Sequence, residues 1–111
     1  MARKFTKYPS DYVKADSDGV KNWGKISQYD RKAYWWAGAQ FLGEDSEGGE
    51  WFVVEGDSDD SFFNFYLVYV GDDGSVSEHS RRRIEKDTYT TEQAYEAMDS
   101  LKDSYWSYYA E

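Results

Sequence analysis

The type of sheet in this protein is indicated above all by one segment, Phe62-Phe63-Asn64-Phe65-Tyr66-Leu67-Val68-Tyr69-Val70. It contains no Gly or Pro and is rich in aromatic and β-branched residues, which is typical of a β-strand. Because successive side chains of a strand point to opposite faces, the odd-numbered residues share one face and the even-numbered residues the other. Both faces are mainly apolar. We therefore expect a central strand that is packed by a helix on one side. On the other side we expect cover by the N-terminal segment in preference to an exposed aromatic face used for binding.

Shorter segments of similar character flank this strand. They lie at about 34–42 and 50–55, and a fourth strand is expected near Val76. The connections at 43–49, 56–61 and 71–75 are rich in Gly, Asp and Ser and leave no room for a crossover helix. These lengths predict an antiparallel meander.

The end of the chain carries the clearest helical pattern. Thr90 followed by Gln93 forms a capping box, which marks the start of a helix. Spacings of three and four residues then place one apolar stripe toward the sheet, formed by Ala94, Met98, Leu101, Tyr105 and Tyr108. On the opposite side, four acids are expected to point outward: Glu92, Glu96, Asp99 and Asp103.

A shorter helix is predicted near the N-terminus, over 20–29, where apolar residues recur every third position. With 111 residues and 13.0 kDa, the chain has the length of one domain, 1–111. The predicted fold class is α+β: a three- to four-stranded antiparallel meander sheet packed by a C-terminal helix, with a short N-terminal helix.

The charge is unevenly distributed along the chain. The net charge is −9, and residues 33–80 contain eleven acids without one Lys or Arg. Ordinary surfaces interleave both signs, so this segment suggests a functional acidic surface. Solubility alone is the competing explanation.

Several chemistries find little support in the residues. There is no Cys, His79 is the one histidine, and the glycines near 43–49 are surrounded by acids that would repel a phosphate. The acids at 57–60 and at 72–73 do not match the spacing of a calcium loop. We therefore expect no enzymatic activity, no catalytic residues, no cofactor and no metal site. Residues 1–9 lack the apolar run of a signal peptide, so a cytoplasmic location without membrane contact is expected.

The acids of residues 33–80 are the leading functional feature of the sequence. Carboxylates displayed from strands and turns can imitate DNA, which carries one charge per ~1.7 Å of duplex. The expected partner is a protein with a basic surface, such as a nucleic-acid-binding enzyme, and direct nucleic-acid binding is not expected. The candidate contact residues are Glu44, Asp45, Glu47, Glu50, Glu55, Asp57, Asp59, Asp60, Asp72 and Asp73, with Trp51 as an aromatic anchor.

In size and charge the chain is similar to small acidic DNA-mimic inhibitors of phages and mobile elements, including anti-restriction and anti-CRISPR proteins. The likeness involves no motif, so it assigns no residues. One alternative is an interaction or structural module that uses a sheet edge or an aromatic face. Another is carbohydrate binding, with Trp35, Trp36 and Trp51 stacking on sugar rings.

Overall fold

A computed structural model describes residues 20–56 and 60–110. Four strands form one sheet in the order β1-β2-β3-β4, and every neighbouring pair is antiparallel. The strands are β1 (Gln40–Glu44), β2 (Glu50–Glu55), β3 (Phe62–Val70) and β4 (Val76–Glu85). The helices are α1 (Gln28–Ala33) and α2 (Thr91–Ser104). The predicted α+β class and the antiparallel meander are confirmed.

Helix α2 covers the first face of the sheet. Thr90 caps it as expected: its hydroxyl accepts from the amide of Gln93, whose side chain accepts from the Thr90 amide. The odd-numbered side chains of β3 pack against this helix, and Phe65 and Leu67 are fully buried. From the helix, the same core receives Ala94, Ala97, Met98 and Leu101.

The N-terminal segment covers the second face. Val20, Ile26 and Trp36 pack there against even-numbered β3 residues such as Val68 and Val70. Trp36 is only 2% exposed, and its ring meets the Phe52 ring edge to face. The two-sided burial of β3 is therefore confirmed, and residues before β1 supply the second cover.

Two N-terminal predictions are wrong in detail. The helix begins at Gln28 and not at Val20, because the Ser27 hydroxyl accepts from the amide of Asp30 and caps it there. A short 3-10 turn, Trp23–Lys25, precedes it. The first strand begins at Gln40 rather than near Tyr34. A second 3-10 turn, Trp36–Gly38, precedes it and directs the Trp36 ring into the core on the second face of the sheet.

Strand β4 is ten residues long and contains a β-bulge. Leu67 pairs with Ser80 and Val68 pairs with Glu78, so His79 has no partner residue on β3. A bulge increases the local twist of a strand and is common at sheet edges. Here it directs the His79 ring onto Trp51, with ring centroids 4.7 Å apart.

The chain leaves α2 through a π-helical turn, Tyr105–Tyr109. The amide of Ala110 donates to the carbonyl of Tyr105, five residues earlier. This wider turn places Tyr109, rather than Tyr108, against the core between α2 and the sheet. The prediction that Tyr108 joins the apolar stripe is therefore wrong, and Tyr108 is 80% exposed. In the described part of the chain, no helix combines the length and apolar character needed to cross a membrane.

Candidate functional site

The predicted acidic residues do not form one surface. The turns at 45–49 and 71–75 lie at the same end of the sheet, and the side-chain amide of Asn22 joins them by donating to the carbonyls of Gly48 and Gly71. This end carries Glu44, Asp45, Glu47, Asp72 and Asp73.

Asp60 lies at the opposite end, in the connection between β2 and β3. The nine residues of β3 separate the two ends by roughly 26 Å at about 3.3 Å per residue. Asp57 and Asp59 belong to the same connection but fall outside the described residues. The predicted set is therefore divided between two ends of the molecule.

Three of the predicted contact residues lie beneath the surface. Glu50 and Glu55 are 6% and 4% exposed, and Trp51 is 7% exposed. The Glu50 carboxylate accepts from the backbone amide of Lys21, and burial raises its pKa. The Trp51 ring stacks against Tyr109, with centroids 4.8 Å apart. None of the three is accessible to a partner, so their predicted role as contact residues is corrected.

Two further acids hold turns together. The Asp45 carboxylate accepts from the Tyr69 hydroxyl and from the amides of Gly49 and Glu47, which lowers its pKa. In the same way, the Asp73 carboxylate accepts from the amide and hydroxyl of Ser75. Hydrogen bonds to a carboxylate favour its ionised form. These acids therefore have a structural role in the turns.

Basic residues of the N-terminal segment approach the same end of the sheet. Lys21 Nζ lies 2.8 Å from Glu44 and forms an ion pair with it. Lys25 Nζ donates to the backbone carbonyl of Asp72 at 2.9 Å. The acidic character of this end is thus partly neutralised.

The outer side of α2 carries a more continuous acidic surface. It consists of four acids and two aromatic residues that follow the helix from its first turn into the π-helical turn. All six are exposed, and we call this surface the acidic-aromatic face: Glu92, Tyr95, Glu96, Asp99, Asp103 and Trp106. From the sequence, its four acids are expected to point outward, with no functional role assigned to them.

The acids of this face repel one another. Glu92 and Glu96, and likewise Asp99 and Asp103, are four residues apart, and like charges at that spacing destabilise a helix by about 0.2–0.5 kcal/mol per pair. Within the described ranges, no Lys or Arg forms an ion pair with any of the four. Lys102 is the one base between residues 91 and 110. The face therefore retains its negative charge.

The three consecutive arginines of β4, Arg81, Arg82 and Arg83, are divided between the two faces of the sheet, and only Arg82 faces α2. Arg82 Nε donates to the Ser100 hydroxyl at 2.9 Å, which attaches the edge strand to α2. The Arg83 guanidinium lies 4.0 Å from the centre of the Phe62 ring and donates to the side chain of Asn64. At least two members of the triplet thus stabilise the fold through identified contacts.

The tryptophans considered for sugar stacking and the one histidine of the sequence, His79, complete the candidate residues. Trp36 and Trp51 are buried, so neither can stack on a sugar. His79 Nε2 lies 3.2 Å from the Ser77 hydroxyl, and no carboxylate of the described residues hydrogen-bonds the His79 ring. Trp36 and Trp51 therefore cannot form the predicted tryptophan platform, and the described ranges contain no oriented Ser-His-Asp arrangement.

Comparisons with protein-family models, curated proteins and solved structures found no match to this chain.

Proposed function

We propose that the protein is a non-enzymatic acidic binding protein that occupies the basic, nucleic-acid-binding surface of another protein. The acidic-aromatic face of α2 is the proposed contact surface. One observation carries the proposal: four exposed carboxylates follow a single helix face beside two exposed aromatic rings, and none of them forms an ion pair with a base of the described residues.

The helix provides a rigid and regular display. Helical residues rise by 1.5 Å, so Glu92 and Asp103 are separated by about 16 Å along the axis. Four charges over that length give one charge per about 5 Å, compared with about 3.4 Å along one DNA strand. The face therefore resembles one DNA strand with a lower charge density. This resemblance favours binding to a cationic groove that normally holds a phosphate backbone.

The aromatic residues of this face can supply binding energy that exposed charges alone do not. Trp106 is 61% exposed and Tyr95 is 37% exposed. Tryptophan and tyrosine are enriched among residues that dominate binding energies, whereas charged residues mainly affect association rate and orientation. Trp106 is therefore the proposed anchor, and the carboxylates guide it to a basic partner.

Two quadruple variants of equal charge test this proposal. The helix variant is Glu92→Gln, Glu96→Gln, Asp99→Asn and Asp103→Asn. The control variant neutralises four exposed acids elsewhere: Glu47→Gln, Asp60→Asn, Asp72→Asn and Asp87→Asn. Each set removes four negative charges and changes the net charge from −9 to −5.

Each variant and the unmodified chain are immobilised and exposed to a cell lysate, followed by a salt ramp. The unmodified chain and the control should retain the same basic proteins and release them between ~50 mM and ~300 mM salt, where such contacts are screened. The helix variant should lose them. Equal retention by all three, or elution independent of salt, would contradict the proposal.

A second candidate function is an interaction module that uses the aromatic residues while the acids only maintain solubility. The exposure of Tyr95 and Trp106 on one helix favours it. The variant Tyr95→Ala/Trp106→Ala distinguishes the two ideas. If it loses binding while the helix charge variant keeps it, the second candidate replaces the first.

A further inference from the structure

A small cavity lies on the second face of the sheet, beside α1. Its volume is about 200 Å³, and it is lined by Tyr29, Ala33, Tyr34, Tyr66 and Glu78. We call it the tyrosine pocket. Sites for whole small molecules usually measure about 300–1,000 Å³. The pocket therefore has room for a head group that remains attached to a larger chain.

Two tyrosine rings form perpendicular walls of this pocket. The Tyr34 and Tyr66 rings have centroids 5.8 Å apart and planes inclined by 87°. Tyr34 is in turn held by an edge contact with the buried Trp36 ring at 5.6 Å. Aromatic faces carry negative partial charge, so walls of this kind attract cations.

Glu78 adds a full negative charge. Its carboxylate accepts a hydrogen bond from the Tyr34 hydroxyl. Burial, together with this carboxylate, raises the pKa of Tyr34, so the hydroxyl stays protonated and remains the donor. A carboxylate offers about four lone-pair positions. Glu78 therefore keeps acceptor positions for a second donor while Tyr34 fixes its orientation.

Tyr29 borders the same pocket from α1. It is 79% exposed and belongs to neither hydrophobic core. An exposed ring beside a pocket that already has two aromatic walls and a carboxylate can stack on a group that enters.

We propose that the tyrosine pocket binds the guanidinium group of an arginine side chain presented by another protein. A planar guanidinium stacks on aromatic rings and donates paired hydrogen bonds to one carboxylate, whereas an ammonium group makes a point contact. The pocket lies on the opposite side of the sheet from α2. A guanidinium bound there would not touch the acidic-aromatic face, so the pocket is independent of the proposed function.

Arg81 modulates the pocket. It is the cross-strand partner of Tyr66 on β4. Burial and Glu78 raise the pKa of Tyr66, whereas the charge of Arg81, its hydrogen bond to Tyr66 and the charge of Arg83 oppose that rise. Arg81 does not line the cavity. Its charge should repel a second cation nearby, so Arg81→Gln should strengthen binding.

The first test titrates the full chain with N-acetylarginine amide and follows the Tyr34 and Tyr66 ring resonances by NMR. N-acetylcitrulline amide has nearly the same shape without the charge, and N-acetyllysine amide has the charge without the planar group. The arginine probe should bind saturably and about tenfold or more tighter than citrulline, given the strength of cation-aromatic and charge-assisted contacts. Absence of saturation, equal binding of citrulline or tighter binding of lysine would overturn the proposal.

The second test uses variants at exposed positions, which leave both cores intact. Glu78→Gln and Tyr29→Ala should each weaken arginine binding, while Glu47→Gln controls for the loss of one exposed negative charge. Arg81→Gln should tighten it. Equal weakening by Glu78→Gln and Glu47→Gln would overturn the proposal, because the effect would then reflect net charge alone.

Discussion

The ring of Tyr109 stacks on the ring of Trp51, with centroids 4.8 Å apart and planes inclined by 30°. This contact exists because the π-helical turn after α2 rotates Tyr109 toward the sheet. Replacing Tyr109 by Ala should lower the free energy of unfolding by about 1–2 kcal/mol, from the lost aromatic pair and its buried area. Tyr108→Ala, at an exposed neighbour, should change it by less than about 0.5 kcal/mol. Urea denaturation measures both, and the reverse ranking would show that the helix keeps its α-helical register.

Glu50 is expected to destabilise the protein at neutral pH. Burial raises its pKa above the unfolded value, so the folded state binds its proton more readily than the unfolded state. The buried charge should therefore lower the free energy of unfolding at pH 7, and this loss should disappear as the pH falls through the raised pKa. Glu50→Gln, whose carbonyl can still accept from Lys21, should be more stable at pH 7, and its advantage should vanish near pH 4. A lower melting temperature for this variant at pH 7 would contradict the assignment.

His79 should make stability depend on pH in the opposite direction. Partial burial against the aromatic cluster lowers its pKa in the folded state, so the unfolded state binds the proton first. Stability should fall as the pH drops below about 6.5, the ordinary histidine value, and level off below the lowered pKa. His79→Gln should remove this component in thermal unfolding between pH 7.5 and pH 5.5. An unchanged pH profile in the variant would exclude His79 as its source.

Two glycines should respond oppositely to substitution by Ala. Gly74 has φ +85°, and a Cβ atom there would lie 2.3 Å from the backbone carbonyl oxygen of Lys25. Gly74→Ala should therefore cost about 1–3 kcal/mol, since neither the turn nor the opposing backbone can relax cheaply. Gly24 has open space around it, and Gly24→Ala should stabilise by about 0.4–1 kcal/mol. Chemical denaturation of the matched pair checks both signs.

Much of the fold could be predicted because its signals are local. The alternation within β3 and the Thr90–Gln93 capping box each depend on a few neighbouring residues, and both operate as expected. The Ser27–Asp30 cap was also present in the sequence. The apolar residues at every third position, including Trp23 and Tyr29, indicated an earlier helix start instead, although Tyr29 is exposed.

The candidate site was harder to predict because it depends on tertiary placement. Successive turns of a meander lie at opposite ends of the sheet, which separates the acids near Asp72 from Asp60. Burial of Glu50 depends on cover from Lys21, 29 residues away in sequence. The π-helical turn that buries Tyr109 has no sequence signal that distinguishes it from a continued α-helix.

Whether the protein occupies a nucleic-acid-binding surface can be tested by letting it compete with duplex DNA for a basic protein captured by the acidic-aromatic face. If the protein occupies the nucleic-acid-binding surface, the partner's apparent Kd for DNA should rise linearly with the concentration of the protein. The helix charge variant should raise this apparent Kd far less than the control variant does. A stable ternary complex of partner, DNA and this protein would contradict the account.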